Sequence, residues 1–209
     1  MDAAVNQVFA EDDARSAREA ELFREARGDF TKIRRDDLLL AVGPASGRFL
    51  NTLVKGARAQ RILEIGTSYG YSTIWLAEAA RETAGGLHTL EIAPAKQSYA
   101  REMLAKAGLE DFVEFHCGNA VELIPGLDDG IDFVLVDLWK DLYVPCLERI
   151  APKLAPGAIV VADNMLQPRE AREDARAYRR AVRALPGVSS VLLPIGSGLE
   201  VSRMPGKED

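Results

Sequence analysis

The chain has 209 residues, 47% hydrophobic and 28% charged, the balance of one folded domain with a sizeable core, which excludes disorder for most of its length. Lys and Arg number 26 against 32 Asp and Glu, a net charge of −6, so the basic field that a phosphate backbone or an anionic membrane recruits is missing. Neither nucleic acid nor a membrane is an expected partner. No apolar run reaches the ~18 residues of a membrane span, and "MDAAVNQVFAEDDARSAREAELF" is acidic where a secretory signal would be basic and then apolar. Cys117 and Cys146 make no ligand or disulfide pattern, so a reducing, cytoplasmic location is expected. With only His88 and His116 in the chain, a multi-histidine metal site is excluded at this level.

In chain order, residues 1 to about 58 carry no strand-like run. Val5, Val8, Phe9, Leu22, Phe23, Phe30 and Ile33 recur at helical spacings among charges and predict two or three amphipathic helices. A break at Gly43-Pro44 precedes a further helix with the stripe Phe49, Leu50, Leu53 and Val54, ending at Gly56. From Arg61 short apolar runs alternate with helical segments. They read "RILEIG" and a helix through Ala80; "GLHTLEI" and a helix from Pro94 to about Ala107; "VEFHCG" and a short helix 119–124; "IDFVLVD" and a helix 141–154; "GAIVVAD" and a helix 170–184. Five β-then-α units in series predict an α/β, doubly wound, mostly parallel sheet with helices on both faces. The nearly continuous runs Phe133–Val136 and Ile159–Val161 suit central strands buried on both sides. "VSSVLLP" and "GLEVSRM" are joined only by Ile195-Gly196-Ser197, too short for a helical crossover, so they are predicted to pair antiparallel and complete seven strands. The expected organisation is a single domain over 1–209: a helical cap (1–58), a sheet-and-helix core (59–204) and a frayed tail (205–209).

A doubly wound sheet takes its ligand outside the carboxyl ends of its strands, here Glu64-Ile65-Gly66, Glu91-Ile92, Gly118-Asn119, Asp137 and Asp163-Asn164. In "LEIGTSYGYS", Gly66 and Gly70 let the backbone turn sharply beside a helix start that can receive an anion. A dinucleotide fingerprint would need glycine at Ser68 and again near Tyr71, so pyrophosphate is not expected. Glu91 ends the next strand, where nucleoside-binding folds place a carboxylate on the ribose hydroxyls. Asp137, Asp163 and Asn164 are hard oxygen donors suited to Mg²⁺, Mn²⁺ or Ca²⁺ and not to zinc. In "DLWKDLY", Lys140 stands three residues beyond Asp137, where a lysine beside a cation is a usable base. For each feature taken alone, an ordinary turn, cap or solvated charge is the competing reading.

The ordered series "RILEIGTSYGYSTIWLA", "LHTLEIAP", "HCGNAVELIP", "IDFVLVDLWKDLY" and "GAIVVADNM" resembles the class I S-adenosylmethionine-dependent O-methyltransferases of the catechol and caffeoyl-CoA group, from about Val42 to Met204. "DLWKDLY" is closer to the animal catechol type than to the plant type, which usually reads D-A-D-K there. The resemblance implies the Rossmann-like methyltransferase fold. It gives Val42, Glu64, Gly66, Thr67 and Ser72 the methionine end of the cofactor, with Ser72 on its carboxylate. Glu91 takes the ribose, and Gly118, Asn119 and Ala120 flank the adenine. Asp137, Asp163 and Asn164 hold the metal, Mg²⁺ by preference, and Lys140 is the base, so that Lys140, Asp137 and Asn164 form the catalytic set. Many relatives carry aspartate at Asn119, the animal enzyme has histidine where this chain has Leu138, and "LLPIGSG" lacks the carboxylate that the animal enzyme sets on catechol.

The expected activity is methyl transfer from S-adenosylmethionine to a hydroxyl of a small vicinal dihydroxy aromatic. The rival readings are a non-catalytic nucleoside-binding protein and, with no catalytic Tyr-x-x-x-Lys pair to support it, a nicotinamide-dependent oxidoreductase. Plant-type relatives pair as dimers, so the N-terminal helices either cover a partner in a homodimer or fold back as a lid.

Overall fold

The computed structural model describes residues 1–25 and 38–206. Seven strands, β1 (Arg61–Ile65), β2 (Gly86–Glu91), β3 (Val113–Cys117), β4 (Ile131–Val136), β5 (Leu154–Ala162), β6 (Ser189–Leu193) and β7 (Leu199–Arg203), form one sheet in the order β3-β2-β1-β4-β5-β7-β6. The first five are parallel, and β7 runs antiparallel to both β5 and β6. The three-residue link therefore does what its length demands: β7 turns back and inserts between β5 and β6. Strand order reverses between β1 and β4, and this is the crevice such sheets use for ligands.

Phe133, Val134, Leu135 and Val136 are all buried because β4 lies mid-sheet with helices over both faces. On one face, α6 (Tyr143–Ile150) presents Tyr143, Cys146, Leu147 and Ile150 at i, i+3, i+4 and i+7, and α7 (Arg172–Arg183) presents Ala175, Tyr178 and Val182. On the other, α3 (Tyr71–Thr83) is buried from Tyr71 through Ala80 beneath α2 (Gly43–Ala57). Asn51 of α2 donates to the Trp75 carbonyl at 2.8 Å and to Glu78 at 2.5 Å, and Lys55 meets Glu78 at 2.7 Å.

Of the two or three helices predicted over 1–58, the described residues show α1 (Ala3–Glu25), which runs unbroken, and α2; Phe30 and Ile33 lie outside the described residues. Val5, Val8 and Phe9 enter the same core as α3, with Phe9 stacked on Trp75 at 4.2 Å, so this helix folds onto its own chain. Gly43-Pro44 proves to be the first turn of α2, where proline's missing N–H costs nothing. The predicted helix 141–154 is shorter: Pro152, which lacks the donor a helix interior needs, lies in a 3-10 turn (Ala151–Lys153), and β5 begins at Leu154. The short helices α4 (Pro94–Lys106) and α5 (Ala120–Leu123) complete the layers.

Candidate active site

At the switch point the ends of three strands are stitched together. Gly66 and Thr67 both donate to the Leu90 carbonyl, at 3.0 and 3.2 Å, and Asp137 donates to the Ile65 carbonyl at 2.9 Å. Gly66 has φ +106°, and a Cβ there would strike the Asp137 carbonyl oxygen, so only glycine lets β1 turn this close to β4. Gly70, φ +93°, precedes α3 without a side-chain cap, which leaves the first N–H groups of a thirteen-residue helix without intrahelical partners.

Glu64 is fully buried beneath this turn. It accepts hydroxyl hydrogen bonds from Ser72, Thr73 and Thr89, each at 2.6 Å. Burial pushes its carboxyl up to about 7, against the pull of those three donors. Glu91, 9% exposed, accepts from the Ser68 N–H at 2.8 Å on one oxygen and from the Ala93 N–H at 2.9 Å on the other. Two backbone donors thus fix the carboxylate in place, with lone pairs left over for a diol. At the end of β3, Gly118 donates to the Glu91 carbonyl. Asn119 caps α5 by accepting from the Val121 N–H at 3.1 Å, while its amide donates to Glu122 at 3.1 Å. Ala120, mostly buried, is the first residue of that helix.

The second cluster lies at the ends of β4 and β5. Asp163 is 1% exposed and accepts from the Asn164 N–H at 2.6 Å; Asn164 has φ +56°, a left-handed conformation that asparagine tolerates. Lys140 Nζ donates to Asn164 Oδ1 at 2.7 Å, to the Tyr143 hydroxyl at 2.7 Å and to the Leu138 carbonyl at 3.0 Å, and lies 3.6 Å from Asp137. Tyr143, fully buried, passes its own proton toward the Asp163 carbonyl at 3.3 Å. Burial and the neighbouring charge of Asp137 push the Asp163 carboxyl well up; burial also raises Asp137, opposed by Lys140. Among the described residues, the buried Asp163 and the partly buried Asp137 share a single ammonium, and the site is short of positive charge. Asp137, Asp163 and Asn164 therefore fit a hard divalent cation by donor chemistry as well as by charge.

The mouth is framed by three segments. Met165, Leu166 and Gln167 are tied to the 195–198 loop through N–H donation to the Gly198 and Ser197 carbonyls at 2.9–3.1 Å. That loop abuts the start of α2, since a Cβ on Gly196 would meet Ser46 Oγ and the Val42 carbonyl. Trp139, 56% exposed, and Leu166, 38% exposed, stand open. Glu200, the carboxylate nearest in sequence to "LLPIGSG", is buried on Arg179, Arg183 and Ser190 at 3.0, 2.6 and 2.6 Å and is not at the mouth.

The structure thus brings Glu64, Gly66, Thr67, Ser72, Glu91 and Asp137 to one crevice, sets Gly118, Asn119 and Ala120 at its flank and Val42 at its rim, and gathers Asp137, Lys140, Asp163 and Asn164 beside it. The Ser72 hydroxyl donates inward to Glu64. Sequence reasoning missed Tyr143, whose signal was its place three residues after Lys140, and Thr73, Thr89 and Ser68, which hold the two glutamates.

A family profile described as O-methyltransferase matches residues 13–204. A catechol O-methyltransferase of Niastella koreensis is 35% identical over 132 residues, 61% of this chain and 59% of that protein, so the match spans under two thirds of that relative. Caffeoyl-CoA O-methyltransferase 2 of Populus trichocarpa is 30% identical over 79% of this chain and 75% of its own. The solved structure of an O-methyltransferase of Streptomyces achromogenes involved in tomaymycin synthesis, in complex with SAM, superimposes with a TM-score of 0.77 at 28% identity, covering 99% of this chain and 91% of that one. With this fold, these strand-end residues and a profile match over nearly its whole length, the chain belongs to the class I S-adenosylmethionine-dependent O-methyltransferase family, among the relatives of the catechol and caffeoyl-CoA enzymes.

Proposed function

We propose that the protein transfers a methyl group from S-adenosylmethionine to one hydroxyl of a small vicinal dihydroxy aromatic, in a divalent-metal-dependent reaction. The observation that carries this reading is the charge-deficient Asp137–Asp163–Lys140 cluster lying directly beside the switch-point crevice in which two backbone donors hold Glu91. The names of the relatives support it: catechol and the caffeoyl group are both vicinal dihydroxy aromatics.

Glu91 would accept both ribose hydroxyls, its orientation already set by Ser68 and Ala93. The open N–H groups at the start of α3 would receive the cofactor's carboxylate, with Val42 at the same end. Gly118, Asn119 and Ala120 would flank the adenine. Ser68 stands where a pyrophosphate-binding turn needs glycine and spends its N–H on Glu91, which disfavours a nicotinamide dinucleotide.

A phenol with a pKa of ~10 is mostly un-ionised at neutral pH, so proton removal is the first chemical need. Asp137, Asp163 and Asn164 would hold Mg²⁺, which when bound supplies Lewis acidity toward the aromatic oxygens. Lys140 Nζ, aimed by Tyr143 and the Leu138 carbonyl, would take the proton. Trp139 and Leu166 would wall the ring and keep water from the methyl group's path. Holding oxygen, carbon and sulfur in line supplies up to ~7–11 kcal/mol of the barrier reduction.

The test is product mass after incubation with S-adenosylmethionine and a panel of vicinal diols, matched monohydroxy aromatics and diols with separated hydroxyls. Methylation confined to vicinal diols is the expected result. Equal methylation of the monohydroxy controls would remove the two-oxygen geometry, and cofactor binding with no product from any acceptor would favour the non-catalytic reading.

A further inference from the structure

The chain contains only two histidines, and the fold brings them face to face. His88 of β2 lies opposite Glu114 of the edge strand β3 in the sheet register, and His116 follows two residues along β3 on the same side. His88 Nδ1 is 3.0 Å from His116 Nε2, and the carboxylate of Glu114 reaches both rings, 3.6 Å from His88 Nδ1 and 3.5 Å from His116 Nε2. The histidine count alone gave no reason to expect the two together: 28 residues separate them in sequence, and strand pairing removes the distance.

We propose that His88, Glu114 and His116 form a binding site for a borderline transition-metal ion of the Zn²⁺ or Ni²⁺ class, distinct from the oxygen donors at the ends of β4 and β5. A metal ion sits ~2.0–2.1 Å from an imidazole nitrogen and ~2.0–2.2 Å from a carboxylate oxygen, which sets neighbouring donor atoms about 2.9–3.5 Å apart at tetrahedral to right angles. The two ring nitrogens, 3.0 Å apart, match that spacing, and the Glu114 carboxylate, with one oxygen 3.6 Å from His88 Nδ1 and the other 3.5 Å from His116 Nε2, lies at its upper end. Two imidazoles select Zn²⁺, Ni²⁺ or Cu²⁺ over Mg²⁺, the reverse of the preference at Asp137, Asp163 and Asn164. Side-chain exposures of 42% for His88 and 66% for Glu114 give an ion entry and leave coordination positions for water. A loaded site would pin the edge strand β3 to β2 and so raise thermal stability.

The test is equilibrium dialysis of the tag-free full chain against Zn²⁺ with Mg²⁺ in large excess, alongside the visible spectrum with Co²⁺ and the melting temperature with and without Zn²⁺. The expected result is a single Zn²⁺ ion per chain that Mg²⁺ does not displace, a Co²⁺ spectrum of imidazole ligation and a raised melting temperature. His88→Gln and His116→Gln should each weaken binding by about 100-fold or more, Glu114→Gln by about tenfold, and Asp163→Asn not at all. Absence of Zn²⁺ binding to the wild-type chain would overturn the proposal, as would binding undiminished in His88→Gln or abolished in Asp163→Asn. Glu114→Gln changes an exposed position and keeps the comparison open should a histidine variant not fold.

Discussion

At the ends of β1 and β2 the buried acids are met by neutral donors: three hydroxyls converge on Glu64, and two backbone N–H groups on Glu91. At the ends of β4 and β5, Asp137 and Asp163 have one ammonium between them, and that ammonium is also spent on Asn164 and Tyr143. The first region is satisfied by hydrogen bonding alone. The second carries more carboxylate than ammonium among the described residues, which is what the proposed cation would offset. Neighbouring strand ends of one sheet have thus been prepared by different physics, dipoles on one side and missing charge on the other, and perturbing them should give different signatures.

The largest separation is expected from Lys140→Ala. Loss of a positioned base lowers kcat by about 10²- to 10⁴-fold, while the dissociation constant for S-adenosylmethionine, measured by titration calorimetry, changes less than about threefold. A parallel loss of cofactor affinity would merge the two regions. Next is Glu64→Gln, read as unfolding free energy against pH. The folded carboxyl sits at about 7, above its ordinary 4.5, so the folded chain keeps a proton that the unfolded chain has released. Wild-type stability therefore falls as pH rises from about 4.5 to about 7 and levels above it, a component of about 3 kcal/mol that Glu64→Gln removes. Urea denaturation at pH 5 and pH 8 on both proteins measures it; identical slopes would deny the burial effect.

Glu91→Ala is expected to weaken cofactor binding by about 30-fold, the worth of ~2 kcal/mol of charge-assisted hydrogen bonding to the ribose, and to leave kcat at saturating cofactor within about twofold. A kcat defect as deep as that of Lys140→Ala would blur the comparison. The smallest effect belongs to Asn119→Asp: the side chain keeps its cap on Val121 and gains a stronger acceptor, while the exposed Glu122 loses its amide partner and turns to solvent, so cofactor affinity should rise by about twofold to threefold, about 0.5 kcal/mol. A fall in affinity would remove residue 119 from the adenine contact.

Much of this was legible before any coordinates. Continuous apolar runs announced β4 and the end of β5, and a three-residue link forced β6 and β7 to pair antiparallel. The strand ends were legible too, because a doubly wound sheet converts chain order into a row of carboxyl ends, and Glu64, Glu91, Asp137 and Asp163 all fall on it. Helix limits around Pro152 were not, since a 3-10 turn and a strand start share the same apolar residues as a helix end. The inward direction of Ser72 was hidden because it depends on Thr73 and Thr89 sharing one buried acid. His88 and His116 were hidden for a related reason: their meeting depends on the register between β2 and β3, which no local pattern encodes.

The most direct measurement is the methyl-transfer rate onto a vicinal dihydroxy aromatic at saturating S-adenosylmethionine, with Mg²⁺, with EDTA, and with Mg²⁺ restored. The two carboxylates of Asp137 and Asp163 sharing one ammonium predict a fall of about 10³-fold on chelation, recovered on adding Mg²⁺, with cofactor binding nearly unchanged throughout. An undiminished rate in EDTA would contradict the account, because the cluster at the ends of β4 and β5 would then do its chemistry without the charge it lacks.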